Sequence, residues 1–510
     1  MKDNKKIIAT MLMVVFLFIG CEKDFDEINT NSVDPTSESV DPAFLLNNAI
    51  IGLSFSNGQV IYDMGIVQQM VTPNSGILTG ANYNQDNRSA TELQWTDYYE
   101  NVIKHTGDLI AQLADKPERS NLLHMATIVQ SYAFMVLTDT YGDVPYSEAG
   151  KGFSDQIVLP KYDSQEFIYT DMITQCKAAV EGFSDAAEDE DGEVMYAGDL
   201  DQWRKLGYSL LLRIGMRLVK VDPQLAQETA IYAFNGGVLE SNDDNFVVRH
   251  DNNFNNPIGS YLNGSEANNF YLTGYFVDYL SSNSDPRLTS IAVRYVGAAS
   301  GAEQTEDNAS TDPADQIGMP VGYDNVSINP VVADLGLESF YAFSQVDRRR
   351  MVTISSPQFL LTYSQTQLLL AEAAERGWIT GDPQDYFEAG IRANMEQMAA
   401  YGTDTAIDAT DIDTYVAANT LDGTNNLELI NTQYWVSSFL NGPEAYANFR
   451  RSGFPDLSPN TYPGQDITGD FINRLTYPNA EIAVNGSNLN EAVSRMGPDN
   501  LDTHVWWDQQ

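Results

Sequence analysis

Five apolar stripes in this chain recur at a spacing that only an α-helix satisfies. Val60, Met64, Val67 and Val71 form the first, and Leu122, Ala126, Val129, Ala133, Val136 and Thr140 the second. Ile168, Met172, Cys176, Ala179 and Phe183 form the third, Trp203, Leu206, Leu210, Ile214 and Leu218 the fourth, and Phe387, Ile391, Met395 and Met398 the fifth. Steps of three and four residues keep side chains on one face of a helix with 3.6 residues per turn. A matching start signal appears at Asp41-Pro42, Asp222-Pro223, Ser356-Pro357 and Asp382-Pro383: a capping side chain followed by Pro at the first helical position. Asp199 is placed to cap the fourth stripe, and Pro73-Asn74-Ser75-Gly76 stops the first. The pattern predicts a mainly α protein of many helices, and a hydrophobic fraction of 43% supplies a sizeable core. The stripes read as core seams, and Cys176, lying on one of them, reads as a buried thiol.

The pattern changes between about Asn235 and Ser356. Residues 242–276 are rich in Asn and aromatics, and residues 297–336 in Gly, Pro and Asp. Phe246-Val247-Val248 and Ile291-Ala292-Val293-Arg294-Tyr295 read as short strands. A second irregular region runs from Phe454 to Trp507. Long irregular stretches in a helical protein are where function usually sits.

Charge and composition exclude several classes. Lys and Arg number 28 against 71 Asp and Glu, a net charge of −43. Such a body does not bind nucleic acid by neutralising phosphates, nor an anionic membrane by electrostatics. Two cysteines, Cys21 and Cys176, and four histidines leave no disulfide framework, no cysteine zinc site and no His-rich metal centre. The sequence holds no H-E-x-x-H, G-x-S-x-G, P-loop or G-x-G-x-x-G motif. Carboxylates are too numerous for any pair to single out a glycosidase. Asp189, Asp191, Gly192 and Glu193 have calcium-loop character, but an EF-hand needs an acid at Ala187 and a Glu at Gly198. An irregular calcium site stays open; no catalytic residue and no cofactor is expected.

The N-terminus reads as a targeting segment. Lys2, Lys5 and Lys6 precede an apolar run from Ile7 to Gly20, too short to span a bilayer comfortably. The run ends at Phe18-Ile19-Gly20-Cys21, which resembles a bacterial lipobox. The resemblance implies removal of residues 1–20 as a lipoprotein signal peptide and lipidation of Cys21. Glu22-Lys23-Asp24-Phe25-Asp26-Glu27 then resembles a lipoprotein surface-export signal, and residues 21–39 read as a lipidated, flexible tether.

A family resemblance runs through the rest. Thr138-Asp139-Thr140-Tyr141-Gly142-Asp143-Val144-Pro145-Tyr146-Ser147-Glu148-Ala149 resembles the signature of SusD/RagB-like outer-membrane lipoproteins. Blocks in the family's order accompany it: Asp24–Asn29, Tyr196–Trp203, Leu210–Ile214, Asp285–Leu288, Leu369–Trp378, Asn448–Pro455 and Val505–Asp508. Ser364-Gln365 departs from the usual Ala-Glu. The resemblance implies a SusD-like fold over residues 40–510, with tetratricopeptide-like helix pairs, long irregular loops and a few short strands. It implies a non-enzymatic, surface-exposed, lipid-anchored nutrient binder paired with a SusC-like TonB-dependent transporter in the outer membrane. Arg213 and Arg217 are expected to pair with acids rather than ligand.

Sugars present apolar ring faces and hydroxyls, which aromatic, Asn, Asp and Arg side chains meet. Two segments carry both types: Tyr83-Asn84-Gln85-Asp86-Asn87-Arg88, and Asn268-Asn269-Phe270-Tyr271. Tyr83, Asn84, Arg88, Asn269, Phe270 and Tyr271 are the candidate ligand residues. The ligand is expected to be an oligosaccharide; a peptide ligand on the same fold, or a surface glycoside hydrolase, are the alternatives.

Overall fold

The structure, a computed structural model, describes residues 41–152 and 155–508. The expected signal peptide 1–20, the expected lipidation site Cys21, the expected tether 21–39 and the Asp24–Asn29 block lie outside the described residues. By its contacts the chain divides between Phe44 and Leu45.

The unit from Leu45 onward is built on packed helix pairs. Ser120–Tyr141 packs on Lys104–Leu113 and Gln165–Gly182, Leu200–Arg217 on Pro223–Gly236, and Tyr363–Glu375 on Pro383–Gln397 and Asn426–Ser437. Four of the five stripes form the seams: Leu122, Ile168, Trp203 and Ile391, among others, are fully buried. The predicted caps close these helices. Asp199 accepts the N–H groups of Asp201 and Gln202 at 2.9 and 3.1 Å. Asp222 accepts that of Leu225 at 3.0 Å, and Asp382 that of Gln384 at 3.0 Å. Each satisfies a donor the helix leaves without a partner.

Ser356-Pro357 does not start a helix. The Ser356 hydroxyl turns back to accept the Thr353 N–H at 2.8 Å, and Pro357 leads into the strand Gln358–Leu361, which pairs antiparallel with Phe246–Val248. The helix begins after Thr362 with a capping box: Thr362 Oγ1 accepts the Gln365 N–H at 3.1 Å and Gln365 Oε1 accepts the Thr362 N–H at 3.2 Å. The first stripe is also not one helix. It crosses two single turns, Gly58–Ile61 and Asp63–Ile66, and the strand Met70–Val71, because Gln68 adopts φ +52° and breaks the helical path.

The strands are short and antiparallel. Met70–Val71 pairs with Tyr271–Leu272, and Ala292–Tyr295 lies between Ala309–Ser310 and Gln345–Val346. Both predicted strands are present, although Ile291 ends a helix instead of opening the strand. The tail from Phe454 carries two helices that composition hid, Asn479–Val484 and Gly486–Met496.

Buried charge joins the helices. Glu372 on Tyr363–Glu375 receives both terminal nitrogens of Arg451 on Gly442–Ser452, at 2.8 and 2.7 Å. Burial alone would raise this carboxyl; Arg451 and Arg376 overcome it and hold it down to about 2. Asp139, in the signature block, accepts from Arg217 Nε at 3.1 Å, from Trp507 Nε1 at 2.9 Å and from the Tyr169 hydroxyl. The signature and the Trp-Trp ending thus meet at one carboxylate and serve the fold. Gly142 ends the signature helix at φ +83°, and its Cα faces the end of Met496 so closely that a Cβ would lie 2.3 Å from Cε. As expected, Arg213 and Arg217 pair with acids, meeting Glu444 at 3.4 and 2.8 Å. Gln365, in place of the usual Glu, accepts from Arg213 Nη2 at 2.7 Å and leaves Glu444 as the local counter-charge.

Asp63 is different. It is buried beside Gly442, its Oδ1 has no hydrogen-bond partner, and burial pushes its carboxyl up to about 7 against the attraction of Arg450. Cys176 is buried on its stripe, and burial pushes its thiol up to about 12, which removes it from thiolate chemistry.

Candidate ligand-binding face

Four segments far apart in sequence meet on one face: residues 72–88, 266–273, 316–327 and 458–466. The strand pair Met70–Val71 and Tyr271–Leu272 brings the first two together, and a parallel bridge from Thr273 to Met319 adds the third. Side-chain amides close the gaps. Asn82 donates to the carbonyls of Thr72 and Tyr323 at 2.7 and 2.8 Å, and its Oδ1 accepts the Gly322 N–H at 2.7 Å. Asn460 donates to the carbonyls of Ala81 and Asn82 at 3.0 and 2.9 Å. Asn74 donates to Asn269 Oδ1 at 2.7 Å and accepts from Asn325 at 3.3 Å. Beneath lies an apolar floor that includes Val71, Tyr271, Met319 and Ile328.

The sequence candidates occupy this region in two different ways. Asn84, at φ +47°, donates to the Asn460 carbonyl at 2.9 Å and to Gln465 at 3.3 Å. Asn269 donates to Glu266 at 2.6 Å. Arg88 is bound to Asp499 at 2.6 Å and to Asp86 at 3.2 Å. The aromatics are inside: Tyr83 and Phe270 are 2% exposed and Tyr271 is fully covered. Tyr83 donates to the Pro73 carbonyl at 2.6 Å and meets Tyr462 edge to face at 4.7 Å; Tyr271 donates to the Asn268 carbonyl at 2.7 Å. Burial raises both hydroxyls above the usual tyrosine range. These three rings support the face from below and offer no open surface for stacking. Arg88 and Asn84 likewise spend their hydrogen bonds on the protein.

What the face presents outward comes from residues outside the six sequence candidates. Ile77 and Val326 are 76% and 71% exposed. Tyr462 and Tyr323 are half-buried, Asn325 is exposed, and Phe340, half-buried and from outside the four segments, packs against the floor. Phe340 stacks on Tyr341 at 4.3 Å. Tyr462 reaches Asp324 at 3.3 Å, and the N–H groups of Ser327 and Val326 hold the Asp324 carboxyl below its usual range. Tyr323-Asp324-Asn325 has the same aromatic-with-amide composition as the two candidate segments, so that criterion reaches it as well. Tyr462 stands in a Pro-Gly turn within the irregular tail. Partly exposed rings among amides and an acid offer the chemistry that polar, flat-faced molecules need. No nucleophile–base pair is found among the described residues of this face.

In the acidic turn with calcium-loop character, two glutamates are taken up by the protein. Glu190 binds Arg119 at 2.8 and 2.7 Å, and Glu193 accepts the N–H groups of Met195, Tyr196 and Gly198 at 2.8, 2.6 and 3.0 Å. Among the described residues no three His, Cys, Asp or Glu side chains gather as a metal-holding group, and no helix is long and apolar enough to cross a membrane.

Residues 34–478 match the SusD-like family, described as starch-binding and associating with the outer membrane. A comparison with curated protein sequences finds no match. Among solved structures, a chitin-binding protein is 31% identical with a TM-score of 0.81, over 92% of this chain and 100% of that one. A SusD-like protein of Bacteroidetes AC2a is 24% identical with a TM-score of 0.80, over 92% and 100%. A chitin-binding SusD homologue of Flavobacterium johnsoniae is 24% identical with a TM-score of 0.73, over 92% and 98%. The last two, at this identity, speak for the fold alone. With its paired helices, its short strands and a family match over most of its length, this chain belongs to the SusD-like family.

Proposed function

We propose that the protein is a surface-exposed, lipid-anchored nutrient receptor that captures an oligosaccharide on the four-segment face and delivers it to a SusC-like TonB-dependent transporter of the outer membrane. Removal of residues 1–20, acylation of Cys21 and the 21–39 tether would hold it there. The observation that carries the binding role is the union of partly exposed rings with amides: Tyr323 and Tyr462 on the same face as Asn74 and Asn325. N-acetylglucosamine oligomers are the first ligands to test, since they combine flat pyranose faces with acetamido groups that pair with side-chain amides, and a 31%-identical structure is named as chitin-binding.

Calorimetry of the mature protein with chitooligosaccharides tests the reading. Tyr462→Ala should weaken binding by about 1 kcal/mol or more if the ring stacks on sugar. Absence of binding to any neutral oligosaccharide would remove the glycan assignment, and steady cleavage by the pure protein would replace it with a hydrolase. Cys21→Ala should release the protein from membranes, because acyl chains supply retention at about 0.8 kcal/mol per buried CH₂. Co-purification from gently solubilised outer membranes should recover a large TonB-dependent barrel.

A further inference from the structure

One short stretch, residues 62–69, fastens three of the four face segments. The Tyr62 hydroxyl donates to the Gln85 carbonyl at 2.6 Å and accepts the Asn87 N–H at 2.7 Å. Gln68 donates to the Ser458 carbonyl at 2.6 Å. The Gln68 carbonyl accepts the Thr273 hydroxyl, and the Gln69 carbonyl the Thr273 N–H at 3.1 Å. The same stretch grips the helical body: Gln69 donates to the Trp435 carbonyl at 2.7 Å, and Trp435 Nε1 to the Val67 carbonyl at 2.9 Å. Its own backbone is weak. Gly58–Ile61 and Asp63–Ile66 are single turns, too short to persist as isolated helices, and Gln68 at φ +52° occupies the left-handed region that a side chain disfavours.

Asp63 lies within this stretch and is 4% exposed. It is pressed against the start of Gly442–Ser452, where a Cβ on Gly442 would lie 2.9 Å from the Asp63 Cβ. Its Oδ1 has no partner. The cation that attracts it, Arg450, spends its donors on the carbonyls of Asn473 and Asp139 at 2.8 and 2.7 Å. Gly442–Ser452 also brings Tyr446, and Ser120–Tyr141 brings Tyr141; burial raises both hydroxyls above the usual tyrosine range. Arg474, bound to Asp499 at 3.0 Å, and the acids Asp97 and Asp508 stand around these two phenols. Ala81–Tyr83 brings Tyr83, whose hydroxyl is bound to Pro73, while Gly58–Ile61 and Met70–Val71 bring no titratable group.

We propose that Asp63 is a proton-linked positioning residue: as a neutral acid it keeps residues 58–69 ordered and the four-segment face assembled for its ligand, and as a carboxylate it loosens both. The inference rests on the reading of that face as the ligand site. In the ordered stretch burial pushes the carboxyl up to about 7; when the turns open, water reaches it and it ionises from its ordinary 3.8 upward. The ordered state therefore holds the extra proton, and raising the pH between these two values favours the opened state. A ligand that needs the ordered face is bound more tightly in acid than above neutrality. No histidine lies in the four face segments, and Asp324, held below its usual value, is ionised throughout this range.

The test compares the native mature protein with Asp63→Asn, which is neutral at every pH. In calorimetry with chitooligosaccharides, the native Kd should rise at least threefold between about pH 5.5 and pH 8, and the variant's should stay level. A level native profile, or an undiminished rise in the variant, would overturn the proposal. Hydrogen–deuterium exchange without ligand, corrected for the intrinsic rate at each pH, gives a second measurement. In the native protein, protection of residues 58–88 and 266–273 should drop over the same pH interval, while the helix Ser120–Tyr141 keeps its own. An equal change in both regions, or none in either, would overturn the proposal even if the variant folds poorly. Failure of every oligosaccharide to bind would remove the glycan assignment, and the exchange measurement would still decide the proton linkage.

Discussion

The helical body and the proposed ligand face are fastened by different chemistry. In the body, buried carboxylates hold arginines, most of them from other helices: Glu372 with Arg451, Asp139 with Arg217, Asp285 with Arg287 at 2.5 Å. On the face, Asn82, Asn84 and Asn460 hold backbone carbonyls of neighbouring segments, and no ion pair joins these three clasps. A buried ion pair is unforgiving, since removing one partner strands the other in a low dielectric. An amide clasp loses about 1 kcal/mol per bond and leaves neutral groups behind. The body is therefore rigidly specified, and the face tolerates change.

The sharpest break of this contrast is Glu372→Ala, which leaves Arg451 buried without its acid. It should cost about 3–5 kcal/mol in urea unfolding, while Glu372→Leu combined with Arg451→Met should recover most of that. A near-neutral single variant would mean that the body is not held by charge.

Asp63 and Glu372 sharpen the contrast through pH. Glu372 lies below its ordinary 4.5, so its stabilisation is complete above that pH and fades as pH falls toward about 2. Asp63 lies above its ordinary 3.8, so the folded state binds the extra proton. Its contribution is fullest below 3.8 and is lost as pH rises to about 7. Asp63→Asn should therefore stabilise the protein at pH 8 by a few kcal/mol, at about 1.4 kcal/mol for each tenfold gain in proton affinity on folding, and flatten the decline between pH 4 and 7. Thermal melts across that range would show it; an unchanged slope would assign the pH response elsewhere.

On the face, Asn460→Ala removes two donated bonds and the acceptor for the Tyr462 N–H at 3.1 Å. Stability should fall by only about 1–3 kcal/mol, with oligosaccharide affinity falling further as Tyr462 loses its position. The smallest effect belongs to Tyr83→Phe, which deletes one 2.6 Å bond from beneath the face: about 1 kcal/mol of stability, with glycan affinity unchanged. A large loss of affinity there would return Tyr83 to the ligand.

The sequence showed most of the body because helices are local. The stripes through Leu122, Ile168 and Trp203, and the caps at Asp199, Asp222 and Asp382, depend on neighbours within a few residues. Ser356-Pro357 misled because the residues after it find their partners in Phe246–Val248, about 110 positions away. The site was half legible for a related reason. Composition located the Tyr83 and Tyr271 segments, but their inward orientation follows from Val71 pairing with Tyr271 across 200 residues. Tyr462 and Asn460 enter the face only through that same long-range folding.

The clasps at Asn82, Asn84 and Asn460 have a consequence for how such receptors diversify. Each grips main-chain carbonyls, which every amino acid supplies, so the fastening does not constrain what neighbouring loop tips display. Ile77, Val326 or Tyr323 can be exchanged without releasing a clasp. A lineage keeping three asparagines would retain the loop framework while the ligands its loop tips recognise drift.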